Sequence, residues 1–277
     1  PYRFGLAGYA YGNRSANFIL DLKADLILSF GARLCSRQIG QDRKKFAKSA
    51  QIIRIDIDEN ELKQDIHEDD ITYPLDADQV IQELLSREVP CDFSKWNEKC
   101  FVIRKKLISA DKDRPYRKPN EIIRSISALI PENSTITCDV GQHQIWLAQS
   151  FDVKADQRIL FSGGHGAMGF ALPAAIGAAF DERRHHYCFV GDGSLQMNIQ
   201  ELQWIVSENI PIKIFVLNNH SLGLIRQQQD SLFQHRYYGA VEEFGFSAPS
   251  FAKIASAYGI NSIVLEQSRY PEWDMVQ

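Results

Sequence analysis

The chain has 277 residues, of which 44% are hydrophobic and 24% charged, and 35 acidic against 31 basic residues leave a net charge of -4. This composition is typical of a globular protein, and the lack of a basic surplus argues against a nucleic-acid partner. No apolar run approaches the roughly 20 residues that cross a bilayer, which argues against an integral membrane protein. The five cysteines are scattered and never form a Cys-x-x-Cys pair, so we expect a reducing cytoplasmic location without disulfides or a zinc cluster.

The first part of the chain predicts one α/β unit. The predicted strands cover 25–30 and 52–57, and the predicted helices cover 41–49 and 76–86. Both strands are short apolar runs typical of buried parallel strands. The second helix has an amphipathic pattern and offers Asp76 or Asp78 as its N-cap. We assign residues 1–89 to a partial middle domain.

Residues 90–119 differ in character from what precedes them. Pro90, Pro115 and Pro119 bracket a Lys-rich, highly charged segment that has room for an amphipathic helix over 93–108. We interpret this segment as a linker that runs over the surface. Pro119 suits the first turn of the helix that follows.

The second half alternates strands and helices with short loops. The predicted strands cover 134–140, 158–161, 187–190, 212–217 and 260–265, and the predicted helices cover 121–130, 142–151, 169–180, 199–208 and 251–258. This alternation predicts a doubly wound parallel sheet over 120–277. The predicted fold class is therefore α/β, with two doubly wound units, the first incomplete, joined by a charged linker.

The ends of the chain suggest a piece of a longer polypeptide. It begins at Pro1 with neither a Met nor a signal-like region, and it stops at Gln277 without a terminating element. We expect the second domain to be cut short at its end.

Ligands of such a sheet bind outside the carboxyl ends of its strands. Four loops at these ends contain glycines, acids or amides: 141–143, 162–169, 191–194 and 218–221. Glycines allow close approach of a ligand, and free N–H groups at a helix start bind anions. Carboxylate and amide oxygens suit a hard divalent cation. Together the loops predict a diphosphate held through a metal ion.

A dinucleotide site is the competing interpretation of one loop. Gly164, Gly166 and Gly169 form a Gly-x-Gly-x-x-Gly run between a strand and a helix, with Asp192 about 20 residues further on. However, Asp192 lies between two glycines, which suits a metal ligand better than a ribose contact. A dinucleotide site also gives no role to the two asparagines at 218–219.

Gly191-Asp192-Gly193, followed after 24 residues by Asn218-Asn219, resembles the signature of thiamine-diphosphate enzymes. Longer stretches are similar to acetolactate synthases: 141–146, 162–173 and 191–202, with 25–33 and 55–58 similar to the middle domain of that family. The chain is identified by this resemblance as the carboxyl-terminal half of an acetolactate-synthase-like enzyme.

The resemblance implies a metal site and a cofactor site. The implied Mg²⁺ ligands are the side chains of Asp192 and Asn219 and the backbone carbonyl of Ser221. The implied thiamine-diphosphate contacts are Gly141, Gln142, His143, Gly166, Met168, Gly191, Gly193, Ser194, Leu222 and Leu224.

Individual roles within the cofactor set also follow from the family. Gln142 and His143 contact the diphosphate, as do the N–H groups of Gly193 and Ser194 and the serine hydroxyl. Met168 acts as an apolar wedge beneath the folded cofactor. The Gly166 carbonyl would accept a hydrogen bond from the cofactor amino group, and Leu224 would line an apolar surface beside the cofactor.

The family performs decarboxylation of a 2-keto acid such as pyruvate, followed by carboligation to a second carbonyl. This is the activity of a transferase or lyase in a homodimer or tetramer. Its activating glutamate belongs to a pyrimidine-binding domain that has no counterpart here. We therefore name no catalytic residue in this chain, and we expect the chain alone to be inactive.

Two departures from the family pattern affect the substrate and a second cofactor. Gln228 stands where acetolactate synthases place a tryptophan, which predicts a more polar acceptor than a second pyruvate. FAD binds the family's middle domain near positions matching Arg37 and Asp56, but Leu34-Cys35-Ser36 replaces the expected acidic pair. Arg37 pairing with a surface acid and Asp56 capping a turn is an equal alternative.

Three hypotheses stay open at this point: a thiamine-diphosphate lyase or carboligase, a non-catalytic module that keeps only the cofactor site, and a dinucleotide-dependent oxidoreductase. For His165, His220 and Arg226, a substrate contact and an ordinary surface role are equally supported.

Overall fold

The computed structural model describes residues 24–35, 39, 42–87, 92–110, 117–181 and 184–265. They fall into two units, one containing the described residues up to 127 together with 145–152, and the other 128–144 together with the described residues from 153 onward. Each unit holds one parallel β-sheet, which confirms the predicted α/β class. No helix in the described ranges is long and apolar enough to cross a membrane.

The first unit contains a three-stranded parallel sheet. Its strands are β1 (Leu26–Phe30), β2 (Gln51–Ile55) and β3 (Ile71–Tyr73), in the order β1-β2-β3. The helices that follow in the chain are α1 (Glu59–Leu62), α2 (Ala77–Ser86), α3 (Ser94–Ala110) and α4 (Arg117–Leu129). Asp76 caps α2 as predicted, because its side chain accepts a hydrogen bond from the Gln79 N–H at 3.0 Å.

The predicted helix over 41–49 is wrong for the residues described there. Only a short 3-10 turn, Arg43–Lys45, forms in this stretch, and Ala47 has a positive φ of 44°. Phe46 and Ala47 are buried at 5% and 1% exposure, in a cluster that includes Ile27 and Ile52. Burying these two neighbours requires a bend, which overrides the helical composition of the segment.

The second unit contains a four-stranded parallel sheet. Its strands are β4 (Ser134–Cys138), β5 (Gln157–Phe161), β6 (His185–Gly191) and β7 (Ile212–Leu217), in the order β5-β4-β6-β7. Its helices include α5 (Gln142–Ser150, which continues into the first unit), α6 (Ala171–Asp181), α7 (Asp192–Met197), α8 (Leu202–Ser207), α9 (Gly223–Leu232) and α10 (Phe251–Ala257). The strand order reverses between β4 and β6, and such a switch point is where a ligand site is expected.

Two elements of the second unit differ from the prediction. Residues 260–265 form no strand, and Ile263 and Val264 are 67% and 64% exposed. An apolar run of this length becomes a strand only when a neighbouring strand pairs with it. Helix α9 was not predicted, because its Arg-Gln-Gln-Gln stretch (226–229) lacks the apolar periodicity of an amphipathic helix.

The central position of β4 predicts a large cost for truncating its core side chain. Ile136 is fully buried, and we expect Ile136→Ala to lower the free energy of unfolding by about 2–5 kcal/mol through lost packing and a cavity. Urea unfolding measures this change. Leu129→Ala is the control because Leu129 is 73% exposed, and it should change stability by less than about 0.5 kcal/mol. Equal effects of the two variants would contradict the burial of β4.

Candidate cofactor and metal site

A buried histidine ring packs against the ends of β4 and β6. A Cβ atom on Gly141 would lie 2.5 Å from His143 Cε1, and a Cβ on Gly191 would lie 2.8 Å from His143 Nδ1. Such distances are too short for real carbon atoms, so the ring fits only because both positions are glycines. His143 is 4% exposed, and its Nε2 atom has no hydrogen-bond partner among the described residues.

Burial also sets the charge of this ring. Desolvation lowers the pKa of His143 to about 4, and a hydrogen bond to the Asp139 backbone opposes the lowering only in part. The ring is therefore neutral at pH 7. A neutral ring can pack at the strand ends without the cost of burying a charge.

The two side chains expected to bind metal converge on one backbone N–H group. The N–H of Ser221 donates to Asp192 Oδ2 at 3.3 Å and to Asn219 Oδ1 at 3.2 Å. Asn219 also donates from Nδ2 to Gln142 Oε1 at 3.0 Å. The structure thus brings Asp192, Asn219, Ser221 and Gln142 together, although they come from loops that follow three different strands.

Asp192 is a buried acid, and hydrogen bonds offset only part of the effect of burial on its carboxyl group. It is 2% exposed, and burial raises the pKa of its carboxyl group, while hydrogen bonds from the N–H groups of Gly193 and Ser221 act in the opposite direction. A cation beside the carboxylate would favour its charged form. Carboxylate and amide oxygens are the ligands that Mg²⁺ takes in proteins, so this donor set fits the ion.

Three expected cofactor contacts share one apolar surface. A Cβ atom on Gly193 would lie 2.6 Å from Leu222 Cδ2 and 3.4 Å from Met168 Cε. The Phe246 ring approaches the same point at 3.8 Å. Met168 is 36% exposed. We define Met168, Leu222 and Phe246 as the apolar wall over the first turn of α7.

The remaining predicted contacts lie nearby with different surroundings. Ser194 is buried, and its hydroxyl donates to the Val140 carbonyl at 3.0 Å. This hydrogen bond connects the loops that follow β4 and β6. Gly166 has a φ of 73°, in the region that favours glycine. Leu224 lies in the first turn of α9 and is partly buried. The contact of these residues with a cofactor stays a prediction.

The residues with two open interpretations lie on the surface. His220 Nδ1 is 2.8 Å from Glu242 Oε1, and Arg226 Nε is 4.0 Å from Asp230 Oδ2. His165 is exposed. Exposed pairs of this kind contribute little to stability, and a substrate contact by any of the three residues stays a prediction.

The two positions matched to FAD contacts are Arg37 and Asp56. Arg37 lies outside the described residues. Asp56 Oδ1 accepts a hydrogen bond from the Asp58 N–H at 2.9 Å, which is the turn-capping role considered as the alternative.

Sequence reasoning missed three residues that shape this site: Asp139, Asn198 and Phe246. Asp139 is 1% exposed and accepts hydrogen bonds from three backbone N–H groups. A signal for Asp139 was available, because it lies at the end of a predicted strand and stands two residues before Gly141, where ligand-binding loops of such sheets begin. Asn198 and Phe246 had no such signal, since they come from segments that flank the motifs.

The matches to family models define the class of this chain. Residues 139–273 match the model described as "Thiamine pyrophosphate enzyme, C-terminal TPP binding domain", and residues 1–84 match "Thiamine pyrophosphate enzyme, central domain". Together these matches take in well over half of the chain. The chain belongs to the thiamine pyrophosphate enzymes, as the resemblance predicted.

The chain is similar to large subunits of acetolactate synthase. It is 34% identical to isozyme 1 of Escherichia coli K12 over 283 aligned positions, covering 98% of this chain and 48% of that protein. It is 35% identical to the Lactococcus lactis IL1403 large subunit, covering 96% and 46%. It is also 35% identical to chloroplastic acetolactate synthase 2 of Nicotiana tabacum, covering 90% and 39%. The chain therefore spans about half the length of these relatives or less.

The buried neutral state of His143 predicts acid sensitivity. Because the folded pKa is about 4 and the ordinary value 6.5, the unfolded chain binds a proton between these values that the folded chain does not. Stability is therefore lost as pH falls through this window. We expect His143→Gln to remove about 2 kcal/mol of the loss between pH 7 and pH 5, measured by urea unfolding at both pH values.

His165→Gln is the matched control, because it removes an exposed histidine from the same unit. This variant should keep the wild-type dependence on pH. If His143→Gln kept it as well, the ring would be solvated and not buried between the strand ends.

Proposed function

We propose that this chain is the cofactor-diphosphate-binding half of an enzyme that depends on thiamine diphosphate and Mg²⁺. The reaction is decarboxylation of a 2-keto acid, pyruvate, with carboligation to a second carbonyl compound. The observation that carries the proposal is the convergence of Asp192 Oδ2 and Asn219 Oδ1 on the Ser221 N–H. The names of the similar proteins support the reaction.

We call the side-chain oxygens of Asp192 and Asn219 and the backbone carbonyl of Ser221 the metal set. These three groups would hold Mg²⁺. The buried Asp192 carboxylate is the ligand that gains most from a cation, because burial raises its pKa. Asn219 is held by Gln142, which orients the amide oxygen and reduces the freedom that a bound ion would remove. The diphosphate of the cofactor would supply further oxygen ligands to the ion.

The apolar wall would hold the ring end of the cofactor. When bound, thiamine diphosphate supplies the carbanion chemistry that releases CO₂ from a 2-keto acid. Met168, Leu222 and Phe246 contribute shape and exclude water, and an apolar environment favours loss of the carboxylate charge. Gly193 contributes by having no side chain, because any Cβ would overlap Leu222.

Several features of the complete enzyme are part of the same proposal. The activating glutamate comes from a pyrimidine-binding domain beyond this chain, and the complete enzyme is a homodimer or tetramer in the cytoplasm. The acceptor is a more polar carbonyl than pyruvate, because Gln228 occupies the position of the family tryptophan. FAD in the middle domain stays a weaker expectation, supported only by the positions of Arg37 and Asp56.

Calorimetric titration of thiamine diphosphate into the chain tests the metal site. We expect binding to require Mg²⁺ and to weaken at least tenfold in Asp192→Asn, because an amide cannot supply the negative charge that the ion needs. Glu242→Gln is the matched control, since it removes an exposed acid near the same loop without touching the metal set. Its affinity should equal that of the wild type.

Equal affinity in Asp192→Asn and the wild type would contradict the metal assignment. If the wild type does not bind, the titration is repeated with a chain that includes the pyrimidine-binding domain. Binding there would show that this domain is required, and failure there would mean that the cofactor is wrong.

Catalytic activity gives a separate prediction. The purified chain should release no CO₂ from pyruvate with thiamine diphosphate and Mg²⁺ present, because it contains no acid assigned to activate the cofactor. Steady CO₂ release would overturn that assignment. In the complete enzyme, a product mixture containing only acetolactate from pyruvate would contradict the polar acceptor.

A further inference from the structure

Asp139 is a buried acid at the end of β4 whose carboxylate is used entirely within the protein fold. Its Oδ1 atom accepts hydrogen bonds from the N–H groups of Val140 at 2.8 Å and Gly169 at 2.9 Å, and its Oδ2 atom accepts from Ala171 at 2.8 Å. Val140 is its sequence neighbour, but Gly169 and Ala171 are 30 and 32 positions away. One carboxylate therefore connects the β4 end to the loop of residues 162–170 and to the start of α6.

The Gly169 peptide is held from the opposite direction as well. The Asn198 side-chain amide donates to the Gly169 carbonyl. Gly169 has a φ of 83°, and a Cβ at this position would lie 2.7 Å from Asn198 Nδ2. The residue must be a glycine, and both its N–H and its carbonyl have fixed partners from different loops.

This arrangement determines where Met168 lies. Met168 directly precedes Gly169. The Met168 Cε atom lies 3.4 Å from the point that a Cβ atom on Gly193 would occupy. A displacement of the Gly169 peptide would therefore carry Met168 away from the apolar wall. We propose that Asp139 is a positioning residue that, with Asn198, fixes the Gly169 peptide and so holds Met168 in the apolar wall. The consequence for the cofactor rests on the proposed function, whereas the placement of Met168 does not.

A matched control exists on the same strand. Thr137 Oγ1 donates to the Ala171 carbonyl at 2.9 Å, and both residues are fully buried. Thr137→Val removes a hydrogen bond at the start of α6 without touching Gly169. Asp139→Asn replaces an acceptor oxygen by a donor that faces a backbone N–H, so it loosens Gly169 or Ala171 directly.

Amide hydrogen exchange of the chain without cofactor tests the placement. We expect the amides of residues 167–169 to exchange at least tenfold faster in Asp139→Asn, and to keep the wild-type rate in Thr137→Val. Asn198→Ala should reproduce the effect at residues 168–170, and it supplies the test if Asp139→Asn does not fold. Unchanged exchange at these amides in the folded Asp139→Asn and Asn198→Ala variants would overturn the inference.

Cofactor titration then tests the consequence. The dissociation constant of thiamine diphosphate with Mg²⁺ should rise at least tenfold in Asp139→Asn and in Asn198→Ala. In Thr137→Val it should stay within twofold even where urea unfolding shows a comparable loss of stability. A rise that follows stability in all three variants would mean a merely structural role and would overturn the positioning role.

The two proposals fail in different ways. Absence of binding by the wild type, also with the pyrimidine-binding domain present, would contradict the proposed function while the exchange experiment still decides the placement. Wild-type binding combined with unchanged binding in Asp139→Asn and Asn198→Ala would overturn only the role of Asp139.

Discussion

The close packing of the His143 ring between the backbone of Gly141 and that of Gly191 is the constraint on which the rest of the site depends. A Cβ atom at Gly141 or Gly191 would lie 2.5 Å or 2.8 Å from the ring, so the ring or the strand end would have to shift. Burial lowers the pKa of the ring to about 4, so the ring is neutral at pH 7. Gln142 and Asp192 directly follow the two glycines that pack against this ring. The ring therefore helps to fix both residues at the switch point of the sheet.

The two buried acids of the site, Asp139 and Asp192, differ in their surroundings. Asp139 accepts three backbone N–H groups and is complete within the fold. Asp192 accepts two N–H groups, and its pKa is still raised by burial. The hydrogen bonds of Asp139 tie loops together within the fold, whereas a cation beside Asp192 would favour the charged form of its carboxylate. Both acids are almost inaccessible to water.

The sequence predicted those parts of the fold and site that depend on local patterns. Strands β4, β6 and β7 were located as short segments, apolar in β6 and β7 and rich in β-branched residues in β4, each followed by glycines, acids or amides. The same loops contain the proposed metal ligands. Strand β3 was missed because three residues, Ile-Thr-Tyr, give no periodicity. The strand expected at 260–265 depended on a pairing partner that sequence cannot show. Two of the three N–H donors to Asp139 come from 30 and 32 positions away, and only the folded chain reveals them.

In the proposed enzyme, cofactor binding and cofactor activation would depend on different domains. His143, the metal set, the apolar wall and both buried acids all belong to the second unit. Under the proposed function, packing within this unit would determine how tightly a metal and a diphosphate are held, because glycines and N–H donors already fix the proposed ligands. Preorganisation of this kind lowers the entropy cost of binding. In the proposed enzyme, a group that activates the cofactor would then come from another domain, because it has only to meet a cofactor whose diphosphate end is already fixed.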